Sequence, residues 1–362
     1  MSPTGNHNPP WTIALPLVGI AALVLAWLAR GIPGVTFVLV FGLIGSIVAA
    51  VHHAEVIAHR LGEPFGTLVL ALAVTVIEVA LIVSMMLGGG ETASGLARDT
   101  VYAAVMIILN GLIGASLLVG GRKHHEQGFK LEGINAALGT LSVIVTFTLI
   151  LPNYSASAPG PVYTTGQLIF VAIVTLLLFV AFTLFQTVRN RDYFLLADDA
   201  PTGKGHDSTP ANREALLSLC LLLIALVAVV LSAKAISPAI EQLVTALDAP
   251  PATVGILIAT IVLLPESVAA VRAAHANQLQ KSLNLAVGSA IASIGLTVPT
   301  VALLAVIMGW PLALGIDAKA TVLLILSLFV VSISLRTGRT TTLPGIVHLV
   351  IFAAWVFLSF VP

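Results

Sequence analysis

The sequence predicts an all-α polytopic membrane protein with about 11 transmembrane helices. Hydrophobic residues make up 58% of the chain and charged residues only 9%, whereas a soluble domain carries roughly 25% charged residues. The apolar residues are grouped into runs of about 20, the length that crosses a bilayer as a helix. We therefore expect most of the protein surface to contact the lipid bilayer, which is its main partner. The charge pattern contains no basic patch of the kind that binds nucleic acid.

Pro, Gly and charged residues separate the apolar runs and set the limits of the spans. The first run follows an N-terminus that lacks the positive region of a signal peptide, so we expect it to be a retained leading helix. In chain order, the predicted spans are 11–29, 35–58, 65–88, 99–120, 132–151, 163–187, 214–235, 251–273, 282–308, 318–335 and 342–360.

The distribution of Lys and Arg predicts the orientation in the membrane. One side holds the N-terminus and 12 of the 16 basic residues, namely Arg60, Arg122, Lys123, Lys130, Arg189, Arg191, Lys204, Arg213, Arg272, Lys281, Arg336 and Arg339. The other side holds Arg30, Arg98, Lys234 and Lys319. The positive-inside rule then predicts a cytoplasmic N-terminus and an outside C-terminus. The chain carries no organelle signal, and we expect it in a bacterial plasma (inner) membrane.

The predicted domain organisation is one leading helix followed by two inverted five-helix repeats. Residues 1–30 form the N-terminal tail and leading helix, 31–188 the first repeat, 189–213 a flexible cytoplasmic linker, and 214–362 the second repeat. Five crossings invert the second repeat relative to the first, as in many secondary transporters. An alternative for the linker is a weak cation sensor built on its acidic residues, Asp198, Asp199 and Asp207.

Two of the 16 acidic residues, Glu78 and Glu266, lie in the middle of long apolar stretches, and no Lys or Arg lies at the centre of any span. A carboxylate in hydrocarbon without a counter-ion costs several kcal/mol. Each must therefore be protonated or hold a cation. Both lie in the second helix of their repeat, so the two can meet near the midplane from opposite directions. We predict a site there that exchanges protons for metal ions.

Other polar groups in the spans could complete such a site, because Ca²⁺ prefers six to eight oxygen ligands. The predicted auxiliary groups are Thr75, Asn110, Ser289 and Ser293, with Ser116 and Thr297 nearby in the sequence. Pro265 precedes Glu266 and lacks an N–H, which frees a carbonyl around Ile261 for coordination. An ordinary membrane-helix kink is the alternative for Pro265.

Protons and cations compete for the same carboxylates. Burial disfavours the charged form and a bound cation favours it, so the empty, doubly ionised site is the costly state. A site that crosses the membrane loaded with metal or with protons, but not empty, makes an exchanger and not a leak. Electroneutral exchange takes two protons for one divalent ion. The alternative is that both glutamates only stabilise helix packing.

A His/Glu cluster lies near the cytoplasmic end of span 2 and the start of span 3. Its members His53, Glu55, His59 and Glu63 could form a proton pathway, since His titrates near neutral pH. A solvated interfacial turn is the alternative. For His348, within span 11, we expect a hydrogen-bonded packing role, and for Cys220 that of a small core residue.

With these residues identified, the chain resembles the calcium/proton exchanger family of the calcium/cation antiporter superfamily, and most closely its bacterial ChaA-like branch. The most specific segments are HAEVIAHRLGEPFGTLVLALAVTVIEVALI (53–82) and LLPESVAAVRAAHANQLQKSLNLAVGSAIASIGLTVPTV (263–301). RDTVYAAVMIILNGLIGASLLVGGRK (98–123) and SLRTGRTTTLPGIVHL (334–349) add to the match.

The resemblance covers nearly the whole chain and implies ten core helices, one leading helix and one essential glutamate in each repeat, here Glu78 and Glu266. The wider family has Gly-Asn before each glutamate, but this chain has Val74-Thr75 and Val262-Leu263. Ser267 replaces the His that follows the second glutamate. The lost amide ligands weaken the expectation of high calcium selectivity.

The function that we predict is antiport that exports Ca²⁺, and also Na⁺ or K⁺, in exchange for H⁺. The main alternative is primarily Na⁺/H⁺ or K⁺/H⁺ antiport with little Ca²⁺ transport. The sequence contains no HExxH or paired-Glu motif of an intramembrane enzyme and no repeated filter sequence of a passive channel. We expect no cofactor apart from the transported ions. Homo-oligomerisation stays open.

Overall fold

The computed structural model describes residues 8–29, 34–62, 65–89, 94–194, 210–246, 250 and 252–361. The α-helices in these ranges are α1 Pro10–Leu28, α2 Val35–Leu61, α3 Phe65–Gly89, α4 Leu96–Met106, α5 Ile113–His124, α6 Leu131–Val145, α7 Thr165–Leu184, α8 Asn212–Ala246, α9 Ala252–His275, α10 Leu279–Met308, α11 Ala318–Ser334 and α12 Thr342–Phe360. Two short strands, β1 Gln127–Gly128 and β2 Arg339–Thr340, pair antiparallel.

Eleven membrane spans are confirmed within the described residues. Nine helical segments are long and apolar enough to cross a bilayer, and two shorter apolar helices, Leu72–Leu87 and Ala318–Ser334, complete the set. The twelve α-helices give eleven spans because α4 and α5 are joined by a π-helical segment, Ile107–Leu112, into one span from Leu96 to His124. The π segment adds a residue to the turn and interrupts the regular hydrogen-bond ladder at this point.

Span limits follow the sequence prediction closely except at span 7. The prediction ended this span at 235, but α8 continues from Asn212 to Ala246. The prediction had assigned Lys234 to the loop after this span. The helix instead accommodates Pro238 in its interior, as membrane helices do when neighbouring groups satisfy the freed backbone carbonyl.

The helices form two compact units, and each unit takes segments from both halves of the sequence. Unit 1 contains α1, α2, α3 and α8, and unit 2 contains the other helices and the strand pair. In unit 1, α2 packs against α1, α3 and α8. Gly19 makes this packing close, since a Cβ there would lie 2.1 Å from Ser46 Oγ and 3.2 Å from the Gly42 carbonyl oxygen.

In unit 2, α10 packs against α6, α7 and α9, and α12 packs against α5. A glycine pair sets the second contact: a Cβ on Gly345 would lie 2.5 Å from the Leu118 nitrogen and 2.8 Å from the Gly114 carbonyl oxygen. Side-chain hydrogen bonds cap the N-termini of two helices in unit 2. Thr164 and Gln167 form a capping box at α7, and Asp317 accepts a hydrogen bond from the Ala320 N–H at α11.

The start of the predicted linker is a short 3₁₀ turn, Arg191–Phe194. Its acidic residues Asp198, Asp199 and Asp207 lie outside the described residues, so the cation-sensor alternative stays a prediction.

Candidate functional site

Glu78 lies in the middle of α3 and is 2% exposed. Thr75, one turn earlier on the same face of the helix, is 6% exposed. The helix packs against α2 and α8 within unit 1. A carboxyl group and a hydroxyl group thus share one buried face of an otherwise apolar helix, where an ionised carboxylate requires a partner.

Glu266 lies in the middle of α9, directly after Pro265, and is half-buried. The helix runs unbroken through the proline from Ala252 to His275. Because Pro265 has no N–H, the carbonyl of Ile261 lacks its usual helical donor and can serve as an oxygen ligand. Within unit 2, α9 packs against α4, α5, α10 and the π segment.

Asn110 is fully buried in the π segment, and its amide is held by three other side chains. Its Nδ2 donates to Ser327 Oγ at 2.8 Å and approaches Met106 Sδ at 3.8 Å. Its Oδ1 lies 3.3 Å from Nδ1 of His348. We call Asn110, Ser327 and His348 the amide cluster. The hydrogen bonding of His348 was predicted from the sequence, but its partner Asn110 and the role of Ser327 were not.

The auxiliary hydroxyls on α10 lie along one face. Ser289 and Ser293 are four residues apart, as are Ser293 and Thr297, so all three project from the same side of the helix. Ser293 is 6% exposed, Thr297 is fully buried and Ser289 is half-buried. Ser116 has a different role, because its hydroxyl accepts a hydrogen bond from Ser282 at 2.9 Å.

The residues of the predicted proton pathway have different surroundings. His53 is fully buried and donates from Nε2 to the Thr12 carbonyl at 3.0 Å, which ties α2 to α1. Glu55 and His59 are exposed on α2. Glu63 lies outside the described residues. The buried His53 and the two exposed groups thus differ in their surroundings, and the pathway stays a prediction.

Unit 2 contains a pocket of about 780 Å³ that the sequence did not predict. Arg98 lines it, donates to Asp99 at 2.8 Å and reaches the Gly315 carbonyl at 3.3 Å. In the nearby loop before α7, Tyr163 donates to the Phe147 carbonyl at 2.7 Å, and burial raises its pKa to about 12. The other lining residues include Asn153, Ser155, Ser157 and Asp317. Their separation in sequence explains why no local pattern predicted the pocket.

Among the residues that the structure describes, His, Cys, Asp and Glu side chains do not gather in groups of three or more that could hold a metal ion. The carboxyl groups that sequence analysis selected are one on α3 and one on α9.

Comparison with known proteins identifies the family. The model of the family described as "Sodium/calcium exchanger protein" matches residues 32–188 and 217–361. The chain is 46% identical over 359 residues to a putative ionic transporter, y4hA, of Sinorhizobium fredii, covering 98% of this chain and 97% of the relative. It is 35% identical over 354 residues to the sodium-potassium/proton antiporter ChaA of Escherichia coli, covering 96% of each chain.

Two solved structures share the fold. The structure of native YfkE superposes with a TM-score of 0.74 at 18% identity and covers 97% of this chain and 100% of its own. The H⁺/Ca²⁺ exchanger CAX superposes with a TM-score of 0.68 at 14% identity, covering 96% of this chain and 92% of its own. The chain therefore belongs to the sodium/calcium exchanger protein family of ion transporters, in its ChaA-like branch.

Proposed function

We propose that this protein is a secondary active antiporter that exports cations in exchange for protons, with Glu78 and Glu266 as the groups that bind both. The observation that carries the proposal is Glu78, a carboxyl group 2% exposed in the middle of an apolar membrane helix. Membership of an ion-transporter family and the antiporter name of a 35% identical relative support it.

The chemistry follows from the cost of an ionised carboxylate in hydrocarbon. Protonation removes the charge, and a bound cation compensates it. Each glutamate is therefore stable in two loaded forms and unstable when ionised and empty. A carrier that changes conformation only in the loaded forms couples the outward movement of a cation to the inward movement of protons.

Oxygen ligands beyond the two carboxylates are available within each unit. Thr75 shares the buried face of Glu78. In unit 2, Asn110, Ser289, Ser293 and the carbonyl freed by Pro265 are the corresponding candidates. These neutral oxygens would complete the coordination that a hard cation requires.

For the exported ion we propose Ca²⁺, together with Na⁺ or K⁺. Two carboxylates neutralise one divalent ion, which gives an electroneutral exchange of two protons for one Ca²⁺. The second candidate is primarily Na⁺/H⁺ or K⁺/H⁺ antiport, in which one carboxyl group stays protonated. Two observations favour it: Val74-Thr75 and Val262-Leu263 stand where the wider family has amide ligands, and the Escherichia coli relative is named a sodium-potassium/proton antiporter.

We further propose a bacterial inner-membrane location with a cytoplasmic N-terminus and an outside C-terminus, based on the Lys/Arg asymmetry. We retain the division into a leading helix and two inverted repeats. The two segments of the family match, 32–188 and 217–361, support that division.

The test is proton flux in vesicles that contain the purified protein and an internal pH indicator. Ca²⁺, Na⁺ or K⁺ is added to acid-loaded vesicles, and the cation-dependent loss of internal protons is recorded for the wild type, Glu78→Gln and Glu266→Gln. Gln keeps the size of the side chain but neither ionises nor carries an exchangeable carboxyl proton. Glu132→Gln is the matched control, because Glu132 is an exposed residue in the first turn of α6.

We expect the wild type and Glu132→Gln to exchange and both site variants to lose at least about 100-fold in rate, or about 2.7 kcal/mol of transition-state stabilisation. The order of the three cations in the wild type decides between the two candidates. Exchange by either site variant at the wild-type rate would show that its glutamate is structural.

A further inference from the structure

The amide cluster restricts what Asn110 can do for a cation. A side-chain amide has two N–H donors and an oxygen with two lone pairs. In unit 2, the N–H₂ group faces Ser327 Oγ at 2.8 Å and Met106 Sδ at 3.8 Å, and the oxygen faces His348 at 3.3 Å. One lone pair of Oδ1 therefore remains to accept a hydrogen bond or to bind a cation. Asn110 can offer a neutral oxygen but no further strong donor.

His348 orients this amide. An amide oxygen can only accept, so the neutral imidazole carries its proton on Nδ1 and donates it to Oδ1 of Asn110. The ring is fully buried, and its Nε2 has no hydrogen-bond partner among the described residues. The Ser327 hydroxyl donates to the Leu323 carbonyl at 2.7 Å and so accepts from the N–H₂ group of Asn110, which leaves Oδ1 facing His348. His348 and Ser327 thus select one amide orientation from opposite ends.

Close packing of α12 against α5 keeps the imidazole in place. A Cβ on Gly114 would lie 3.0 Å from His348 Cβ, and a Cβ on Gly111 would lie 3.1 Å from a ring carbon of Phe352. Both distances are tighter than most Cβ contacts, so a larger residue at Gly114 in α5, or at Gly111 in the π segment, would press on the side chains of α12. The packing leaves little room for the ring of His348 to swing away from Asn110.

The position of the amide is relevant to transport because the π segment that carries Asn110 packs against α9, the helix of Glu266. Irregular helical segments leave backbone groups outside the usual ladder and often lie at functional sites. A ligand in such a segment has less support from the backbone, so its direction depends more on side-chain contacts.

We propose that His348 is a positioning residue that holds the oxygen of Asn110 toward the transported cation, with Ser327 as the second contact. This inference rests on the proposed antiport function. The transported cation is a hard ion, Ca²⁺, Na⁺ or K⁺, that accepts a neutral amide oxygen beside a carboxylate. Groups that orient a metal ligand typically change ion affinity about 10- to 100-fold when they are removed.

Three substitutions at position 348 separate positioning from packing. His348→Asn places an N–H donor the same number of bonds from the backbone as Nδ1, whereas His348→Gln places it one bond further and His348→Leu provides none. We expect the cation concentration for half-maximal exchange to rise about tenfold or more in the Leu and Gln variants. We expect the half-maximal cation concentration of the Asn variant to stay near the wild-type value. The maximal rate should change less than the half-maximal concentration in all three.

The measurement is the vesicle proton flux at graded Ca²⁺, Na⁺ and K⁺ concentrations, with thermal unfolding in detergent recorded for each variant. A packing role predicts that Leu preserves function better than Asn. That order, or a Leu variant with the half-maximal concentration of the wild type, would overturn the proposal.

Ser327→Ala provides a second test if the position-348 variants do not fold. Ser332→Ala is its matched control, since Ser332 is on the same helix and its exposed hydroxyl donates to the Leu328 carbonyl one turn earlier. We expect a raised half-maximal concentration in Ser327→Ala alone, and equal values in the two variants would overturn the proposal. A wild type without cation-dependent proton flux would instead refute the antiport function itself, independently of any variant.

Discussion

The two glutamates occupy helices of different character. In unit 1, Glu78 is almost completely buried in α3, a helix without proline, and Thr75 is the polar neighbour one turn away. In unit 2, Glu266 is half-buried after Pro265, and its helix packs against a π segment with a hydrogen-bonded amide. The same acidic residue thus lies in a regular helix in one unit and directly after a proline, on a helix beside an irregular segment, in the other.

The dependence of cation binding on pH is the strongest way to test whether the two carboxyl groups act alike. A cation must displace bound protons, so its affinity should fall as the pH is lowered through the range where the carboxyl groups titrate. We expect about 100-fold weaker binding for each pH unit if two protons are displaced, and about tenfold if one is. Cation-dependent thermal stabilisation of the purified protein, recorded at several pH values, gives the slope.

The single Gln variants then sharpen this comparison. Equal participation predicts that Glu78→Gln and Glu266→Gln each reduce the slope to about tenfold per pH unit, observed at raised cation concentration. If a variant keeps the wild-type slope, the glutamate that it replaces does not take part in proton exchange. An affinity that does not change with pH in the wild type would contradict competition altogether.

Helix packing in unit 2 should be intolerant of a single methyl group at Gly345. The added Cβ would lie within 2.8 Å of backbone atoms of Leu118 and Gly114, which cannot move aside without shifting the helix. We expect Gly345→Ala to lower the free energy of unfolding by about 3 kcal/mol and to displace His348. Gly139→Ala is the control, because a Cβ at Gly139 meets no atom within 4 Å. Equal thermal midpoints for the two variants would contradict this description.

A methyl group added at Gly19, the close contact in unit 1, should destabilise the protein less than one added at Gly345. A Cβ on Gly19 meets the hydroxyl of Ser46, which can rotate away at the cost of its 2.8 Å hydrogen bond to the Gly42 carbonyl. We expect Gly19→Ala to destabilise by about 1 kcal/mol. Thermal unfolding of Gly19→Ala with Ser46→Ala should show partial recovery, and further destabilisation in the double variant would argue against the clash.

The smallest effect is expected at an exposed ion pair beside the β1–β2 strand pair of unit 2. Arg339 donates to Glu126 at 3.2 Å, but both side chains are more than half exposed, at 75% and 51%. Exposed ion pairs contribute little because water and salt screen them. Arg339→Gln should change the free energy of unfolding by about 0.5 kcal/mol or less. A larger change in a denaturant titration would mean that β2 depends on this pair.

The sequence predicted the eleven spans because a bilayer imposes a length and a composition on every helix that crosses it. It also identified both glutamates, since a carboxylate in a long apolar run is conspicuous. It did not predict the π segment Ile107–Leu112, because its sequence, IILNGL, is apolar except for Asn110, like the helical turns on either side. Nor did it predict the amide cluster, because Asn110 is 217 residues from Ser327 and 238 from His348. Contacts of that range depend on how the helices are arranged and leave no local pattern.

The membership of α8 in unit 1 has a consequence for how the chain is made. The ribosome delivers α1, α2 and α3 first, yet their packing partner begins only at Asn212, after α4 to α7 have been synthesised. The helices α1, α2 and α3 therefore lie in the bilayer without their contacts to α8 while more than 100 residues of unit 2 are synthesised. An insertase or chaperone that covers α2 and α3 during this interval would shield the surface that α8 later contacts. Translation pauses before residue 212 would prolong the exposure.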